Sequence, residues 1–330
     1  MKRDAVLDYA KGIAIILMVI GHCYSEENIV LTLIYGFHMA FFFIVSGIIY
    51  GRKTESTDFR FSPLKTVKNL LIPYFIYELL FSAFISLLDR NNGFVHSMAG
   101  KAISIITFKG VTATWYLSCI VFVELIFLGL YQKIKLRILP ISAGLFVLGL
   151  FLAPYAKNYA VVPVRVMIAM GFFAFGFVLG RKIQKPEHSK VVYWGLPVCA
   201  LLYYITASYN GMVSLVSLKL SNPVLYVCNA VLGTFVLLMI SLVVSRTSSG
   251  NVLNKILDKM GKNTLFILGT HMLLVEVIRL LDFKLLGEFF PKLGLGEGIV
   301  FGLIVCFAEY MMIPFYQHIK SGLNQKFKEC

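Results

Sequence analysis

The feature that most constrains this chain is a series of apolar runs, each about 20 residues long. As an α-helix, such a run is long enough to cross the hydrocarbon core of a bilayer, which is about 30 Å thick. Of the 330 residues, 58% are hydrophobic and only 15% are charged, whereas soluble domains carry about 25% charged residues. The sequence therefore predicts an all-α, polytopic transmembrane bundle. It excludes a soluble enzyme, a disordered chain and a secreted disulfide-linked protein.

Ten apolar runs are predicted to span a membrane. They cover residues 5–23, 29–50, 68–88, 115–133, 137–155, 163–180, 191–208, 224–245, 263–281 and 297–317. If the N-terminus is cytoplasmic, 21 of the 31 lysines and arginines fall in cytoplasmic segments and nine in outer segments. Basic residues resist translocation and collect in cytoplasmic loops. The distribution therefore predicts that both termini are cytoplasmic.

This topology also explains the net charge of +14, so no nucleic-acid partner is expected. Composition shows no break, and residues 1–330 are predicted to form a single domain. Two outer segments are long, residues 89–114 and 282–296, and the first is expected to lie at the interface or to re-enter the membrane.

The cysteines are scattered, and none has the paired spacing of a zinc site. Most lie in or beside apolar runs, where cysteine packs as a small apolar residue. No disulfide and no metal are expected. The six cysteines are Cys23, Cys119, Cys199, Cys228, Cys306 and Cys330.

The first predicted span carries three polar side chains on one face. With about 100° per residue, Lys11 and His22 differ by about 20°, and Asp8 lies within about 60° of both. The helical rise separates Lys11 from His22 by about 16 Å along the axis. With a cytoplasmic N-terminus, Lys11 lies near the cytoplasmic mouth and His22 lies toward the outer half of the membrane. Charge at membrane depth is costly, so these are functional candidates, and Gly12 and Gly21 would permit close approach of a helix or ligand. Alternatively, Asp8 and Lys11 snorkel to the interface and His22 ends the helix.

The second predicted span contains His38 and Ser46 and ends in Arg52 and Lys53. His38 is either a hydrogen-bonded residue of the bundle or part of a site. Ser46 belongs to a Ser-Gly pair that is common where helices pack. Arg52 and Lys53 are either ordinary cytoplasmic basic residues or phosphate-binding residues that lie beside Lys11.

Three later residues complete the candidates. Trp115 opens the fourth span, where it suits an aromatic belt at the membrane interface. Glu124 and His271 lie inside apolar runs, and each is either an ion-paired residue of the bundle or part of a buried site.

Four segments now form a pattern along the chain. They are Leu7-Asp8-Tyr9-Ala10-Lys11-Gly12-Ile13 continued to His22; Phe37-His38-Met39-Ala40-Phe41-Phe42-Phe43-Ile44-Val45-Ser46-Gly47; Trp115-Tyr116-Leu117; and Met260-Gly261-Lys262-Asn263-Thr264-Leu265-Phe266 with His271. Together they resemble the acyltransferase-3 family of integral-membrane O-acyltransferases, particularly its short, fucose 4-O-acetylase-like branch. The likeness extends over nearly the whole chain.

Two positions depart from the family pattern. Many members have arginine where this chain has Lys11, and a lysine keeps the charge but loses bidentate phosphate geometry. The second-span motif commonly has Pro-Leu where this chain has Ala40-Phe41, a difference that concerns the local kink.

The resemblance implies transfer of an acyl group from cytoplasmic acyl-CoA to a hydroxyl of a sugar or cell-envelope glycan. It also implies that the acyl group is acetyl, the group that members of this family usually transfer. His22 is then expected to be the general base, and Lys11, Arg52 and Lys53 to bind the anionic CoA. The supporting or acceptor-site candidates are Asp8, His38, Ser46, Trp115, Glu124 and His271. The other expected partners are the carbohydrate acceptor and the lipids of a bacterial plasma membrane, and a homodimer is left open.

Two other classes of protein fit the same residues. A transporter or flippase would also have many spans and charges inside the membrane, although no inverted repeat is visible. A sensory or scaffold membrane protein is the third class. Binding of acetyl-CoA to the solubilised protein would separate the acyltransferase from both.

Overall fold

The computed structural model describes residues 4–55, 59–89, 91, 93–183, 191–246 and 251–329. Within these ranges every regular element is a helix, apart from an isolated antiparallel bridge between Ser214 and Lys219. The α-helices are α1 (Ala5–Cys23), α2 (Ile29–Tyr35), α3 (His38–Lys53), α4 (Pro63–Thr66), α5 (Ile72–Leu88), α6 (Phe94–Ile106), α7 (Trp115–Ile134), α8 (Ile138–Leu152), α9 (Val161–Lys182), α10 (Val191–Asn210), α11 (Pro223–Val244), α12 (Val252–Lys262), α13 (Thr264–Leu281) and α14 (Glu297–Glu329). The all-α prediction is confirmed.

Eight helical stretches in the described ranges are long and apolar enough to cross a membrane. One of them, Trp115–Leu152, covers two predicted spans, because only the 3-10 turn Lys135–Arg137 separates α7 from α8. The predicted span 191–208 falls on α10, a further helix of 20 residues. Every predicted span therefore falls on helix, while the count of ten and the orientation stay predictions.

The second predicted span, residues 29–50, is a broken helix. The first piece, α2, ends where the Gly36 backbone N–H bonds carbonyl oxygens of its last turn, and α3 begins two residues later at His38. A Cβ at Gly36 would lie 2.7 Å from the Tyr203 hydroxyl oxygen, so a larger residue there would require the Tyr203 side chain to move.

Contacts divide the chain into two compact units. The larger unit contains residues 27–242, and the smaller unit contains residues 4–26 and 243–330. The sequence gives no sign of this division, and the prediction of a single domain stays a prediction.

The central helix pair of the larger unit is α3 with α9. Each helix carries two glycines four residues apart, the spacing that lets transmembrane helices approach closely. A Cβ added at any of these glycines would overlap a backbone carbonyl oxygen of the facing helix. They are Gly47, Gly51, Gly176 and Gly180.

In the smaller unit, α1 packs against α12, α13 and α14. The contact with α12 is reciprocal: a Cβ at Gly12 would overlap the carbonyl oxygen of Leu257, and one at Gly261 would overlap that of Asp8. The expected close approach at Gly12 is confirmed, and the partner is the backbone of another helix. Gly21 is also buried in α1.

The long segment 89–114 contains α6, which has 13 residues and is too short to cross a bilayer. This fits the interfacial and the re-entrant alternatives alike. The other long segment, 282–296, holds a π-helical turn at Asp282–Leu286 and a 3-10 turn at Pro291–Gly296.

The described cysteines are free thiols. Three are buried: Cys23, Cys119 and Cys306. The expected burial is wrong for Cys228, which is exposed on α11. Cys330 lies outside the described residues.

Candidate active site

The N-terminal end of α1 carries an ion pair that is largely buried. Asp4 caps the helix by accepting a hydrogen bond from the Val6 backbone N–H at 2.9 Å. One turn later the Lys11 Nζ lies 2.6 Å from the Asp8 Oδ1, and the Asp8 side chain is only 5% exposed. Positions three apart are neighbours on a helix, which allows the two side chains to pair. Asp8 therefore holds the ammonium group of Lys11 in place.

The other end of α1 places His22 beside His271 of α13. The centroids of the two imidazole rings are 5.2 Å apart, and the ring planes are tilted by 41°. His271 is fully buried, whereas His22 is half-buried. These two residues are the candidates from distant parts of the sequence that the smaller unit brings together.

Hydrogen bonds fix the chain on either side of His22. The Arg279 guanidinium of α13 donates to the His22 backbone carbonyl at 3.3 Å. Just beyond the helix, the Tyr24 hydroxyl donates to the Leu295 carbonyl at 2.8 Å, and the Ser25 hydroxyl donates to Glu297 Oε2, also at 2.8 Å. The end of α1 is thus tied to α13 and to the start of α14.

A second buried carboxyl, that of Glu309 on α14, contacts the residue that precedes His271 in α13. The Thr270 hydroxyl lies 2.7 Å from Glu309 Oε1 on α14, and the Glu309 side chain is fully buried. Its Oε2 atom has no hydrogen-bond partner among the described residues. Glu309 interrupts the apolar pattern of the last predicted span, and this is the signal by which sequence reasoning could have found it.

In the larger unit, Lys53 and Glu124 line a cavity of about 420 Å³. Glu124 is buried and accepts hydrogen bonds from the Tyr50 hydroxyl at 2.9 Å and the Thr66 hydroxyl at 3.0 Å. Lys53 lies over the Tyr50 ring, with Nζ 4.7 Å from the centroid. The remaining lining residues include Phe59, Arg60, Phe61, Ser62, Lys65, Asn69 and Leu70. The cavity therefore presents three cations around one carboxylate.

Arg52 has a different environment from Lys53. Its Nε donates to the Ile183 carbonyl at 3.3 Å, and it is not among the cavity lining. Lys11 belongs to the smaller unit, whereas Arg52 and Lys53 belong to the larger unit. The expected convergence of these three residues on one ligand stays a prediction.

His38 and Ser46 lie in α3. His38 is buried, its Nδ1 is 3.0 Å from the Ile34 carbonyl oxygen, and its ring centroid is 4.8 Å from that of Tyr35. The side chains of Ser46 and Tyr116 are hydrogen-bonded. This backbone hydrogen bond is what we expect if His38 is a residue of the helix bundle rather than part of a site.

Trp115 is buried under a cation rather than exposed in a membrane-interface belt, so the belt interpretation is wrong for this residue. Its side chain is 5% exposed, and the Arg165 guanidinium carbon lies 4.9 Å from the ring centroid. Arg165 is itself buried and donates to the backbone carbonyls of Lys109 and Val216. Sequence reasoning did not select Arg165, although its position between two valines of the apolar helix α9 marks it as unusual.

The loop before Trp115 is also held by a buried carboxylate. Glu78 accepts from the backbone N–H groups of Val111 and Thr112 and from the Thr114 hydroxyl, the last at 2.5 Å. A carboxylate that accepts several hydrogen bonds is stable away from water. Glu78 and Arg165 therefore fix the loop from which α7 starts.

The described ranges contain no group of three or more His, Cys, Asp or Glu side chains arranged to hold a metal. Residues 4–311 match the family model described as an acyltransferase domain. The matched region includes residues of both units. No curated protein and no solved structure matches the chain.

Proposed function

The chain belongs to the acyltransferase-3 family, and we propose that it transfers an acetyl group from cytoplasmic acyl-CoA to a hydroxyl of a sugar or cell-envelope glycan. Family membership and the apolar helices make it a membrane O-acyltransferase, an enzyme that transfers acyl groups other than amino-acyl groups. The donor, the acceptor and the residues below are parts of the proposal.

The observation that best supports the proposal is that the imidazole of His22, at the end of α1, lies beside the imidazole of His271 on α13. Imidazole is the side chain best suited to move a proton near neutral pH. His22 lies on the same helix as the fixed cation Lys11, and its ring faces that of His271. A base and an anion-binding group thus share one rigid element.

In the proposed reaction, His22 takes the proton of the acceptor hydroxyl as its oxygen attacks the thioester carbonyl carbon. The new C–O bond forms, the C–S bond breaks, and CoA leaves as a thiolate that regains a proton. An acetyl-histidine intermediate is the covalent variant of this reaction. Trapping of acetylated His22 without acceptor would distinguish the two routes.

We place the anionic end of the donor on Lys11, Arg52 and Lys53. The cavity beside Lys53 supports this assignment, because Arg60 and Lys65 add two further cations there. Phosphate oxygens bind strongly to such charged donors. The remaining candidates, Asp8, His38, Ser46, Trp115 and Glu124, support the donor or line the acceptor site.

The experiment is transfer of labelled acetyl from acetyl-CoA by purified protein to a cell-envelope glycan fraction. His22→Ala should abolish transfer while leaving folded protein in the membrane, because only the base is removed. Substantial transfer by this variant would exclude His22 as the base. Failure of the unaltered protein to bind acetyl-CoA would instead favour a transporter or flippase.

Three further parts of the proposal concern the setting of the protein. We place it in a bacterial plasma membrane, in the short, fucose 4-O-acetylase-like branch of the family, and we leave a homodimer open. Analysis of ester-linked acetyl groups in envelope glycans, with and without the gene, identifies the acceptor.

A further inference from the structure

The tautomer of His271 can be read from its surroundings. Its Nδ1 lies 2.9 Å from the Ile267 carbonyl oxygen. A carbonyl oxygen only accepts hydrogen bonds, so Nδ1 carries the hydrogen. In the neutral ring, Nε2 is then a bare acceptor, and it has no hydrogen-bond partner among the described residues.

A buried acceptor without a partner costs free energy that an apolar side chain of similar size would avoid. His271 is fully buried, and its helix α13 packs against α1 and α14. Its ring nevertheless faces the ring of His22 at a centroid distance of 5.2 Å. At this separation a proton can pass between facing ring nitrogens, directly or through one water.

We propose that His271 Nε2 accepts a proton from His22, so that the two imidazoles share the proton removed from the acceptor hydroxyl. This inference rests on the proposed function. His22 takes the hydroxyl proton at one ring nitrogen and passes the hydrogen of its other nitrogen to His271. The proton returns by the same route when the thiolate leaves, so charge and protons balance over one turnover.

His271 is therefore a positioning residue that acts through His22. Its environment suits this role, because the Nδ1 hydrogen bond to Ile267 fixes the ring and orients Nε2. The charged groups that contact this region are Arg279 and Glu276 on α13 and Glu309 and Glu297 on α14.

The test is a double-mutant cycle on kcat with His22→Gln, His271→Gln and the double variant. His271→Gln should lower kcat about 10- to 100-fold with the KM for acetyl-CoA unchanged, since its amide can accept a hydrogen bond but not a proton. The double variant should be no slower than His22→Gln, because residues that act as a unit are not additive. His318→Gln, at an exposed histidine of the same unit, is the matched control.

Unchanged kcat in His271→Gln, or losses that multiply in the double variant, would overturn the inference. Partial misfolding of a variant would lower kcat without a change in mechanism. The solvent deuterium isotope effect on kcat does not respond to this loss, because it is a ratio of two rates measured on one preparation. It should be larger in His271→Gln than in the unaltered protein, and an equal effect contradicts a shared proton. Absence of transfer by the unaltered protein would overturn the proposed function itself. That result is distinguishable from failure of the inference, which concerns only the variants.

Discussion

At the scale of single residues, several polar groups in the described part of the chain are held by other polar groups or by backbone. Lys11 pairs with Asp8, Glu124 accepts from two hydroxyls, and Arg165 binds two carbonyl oxygens. Buried charges are retained in proteins when they are satisfied in this way. Each such residue is therefore a fixed point from which a ligand can be bound.

Lys11 is expected to bind the donor. Lys11→Ala should raise the KM for acetyl-CoA about 10-fold or more, because a hydrogen bond to a charged group is worth roughly 1.5–3 kcal/mol. Lys11→Arg should keep most of the affinity, since the charge remains. Steady-state kinetics with each substrate varied in turn measures this. A change in the acceptor KM alone would argue against a role in CoA binding.

The cavity beside Lys53 gives a second prediction. Arg60 and Lys65 line it, and their replacement by glutamine should each raise the KM for acetyl-CoA several-fold and weaken its salt dependence, because fewer phosphate charges are neutralised. Lys284, an exposed lysine of the smaller unit, is the control position. If all three variants have the same KM as the unaltered protein, the cavity does not bind the donor.

At the scale of elements, contacts between backbones organise both units. Gly47 and Gly51 of α3 lie against the backbone of α9, Gly176 and Gly180 of α9 lie against that of α3, and Gly12 lies against α12. Association of helices in a membrane depends on such close packing, since lipid tails are as apolar as leucine. The glycine spacing of α3 and α9 is visible in the sequence, but only the folded structure identifies the two helices as partners.

The α3–α9 contact predicts that a side chain added at a glycine in this contact destabilises the protein, whereas one added at a glycine outside it does not. Gly176→Leu should sharply lower the yield of folded protein and its melting temperature, because overpacking a tight contact costs about 1–3 kcal/mol or more. Gly144→Leu, on α8, should be tolerated, since a Cβ there meets nothing within 4 Å. Size-exclusion and thermal-shift measurements in detergent compare them. Equal stability of the two variants would contradict the packing described.

At the scale of the whole molecule, the distribution of basic residues predicts the orientation. A single cysteine placed at Ser217 should react with a membrane-impermeant maleimide in intact cells, whereas one at Ser321 should react only after permeabilisation. Both positions are exposed, and the native cysteines would first be replaced because Cys228 is exposed. Labelling at Ser321 in intact cells would place the C-terminus outside.

The sequence by itself determined the all-α membrane class and helices at every predicted span, because the solvent imposes both. A bilayer leaves no water for backbone groups, so each apolar run of spanning length becomes a helix. The shared face of Asp8, Lys11 and His22 also followed from helical geometry alone. These are local properties, fixed by the order of residues within one run.

The tertiary structure decided which distant residues meet. The pairing of His22 with His271, the burial of Trp115 under Arg165 and the division into two units all depend on packing between helices that are far apart in sequence. Apolar faces of helices are chemically alike, so their pattern does not select a partner. That selection is made by shape, through glycine contacts and a few buried hydrogen bonds, and it exists only in the folded chain.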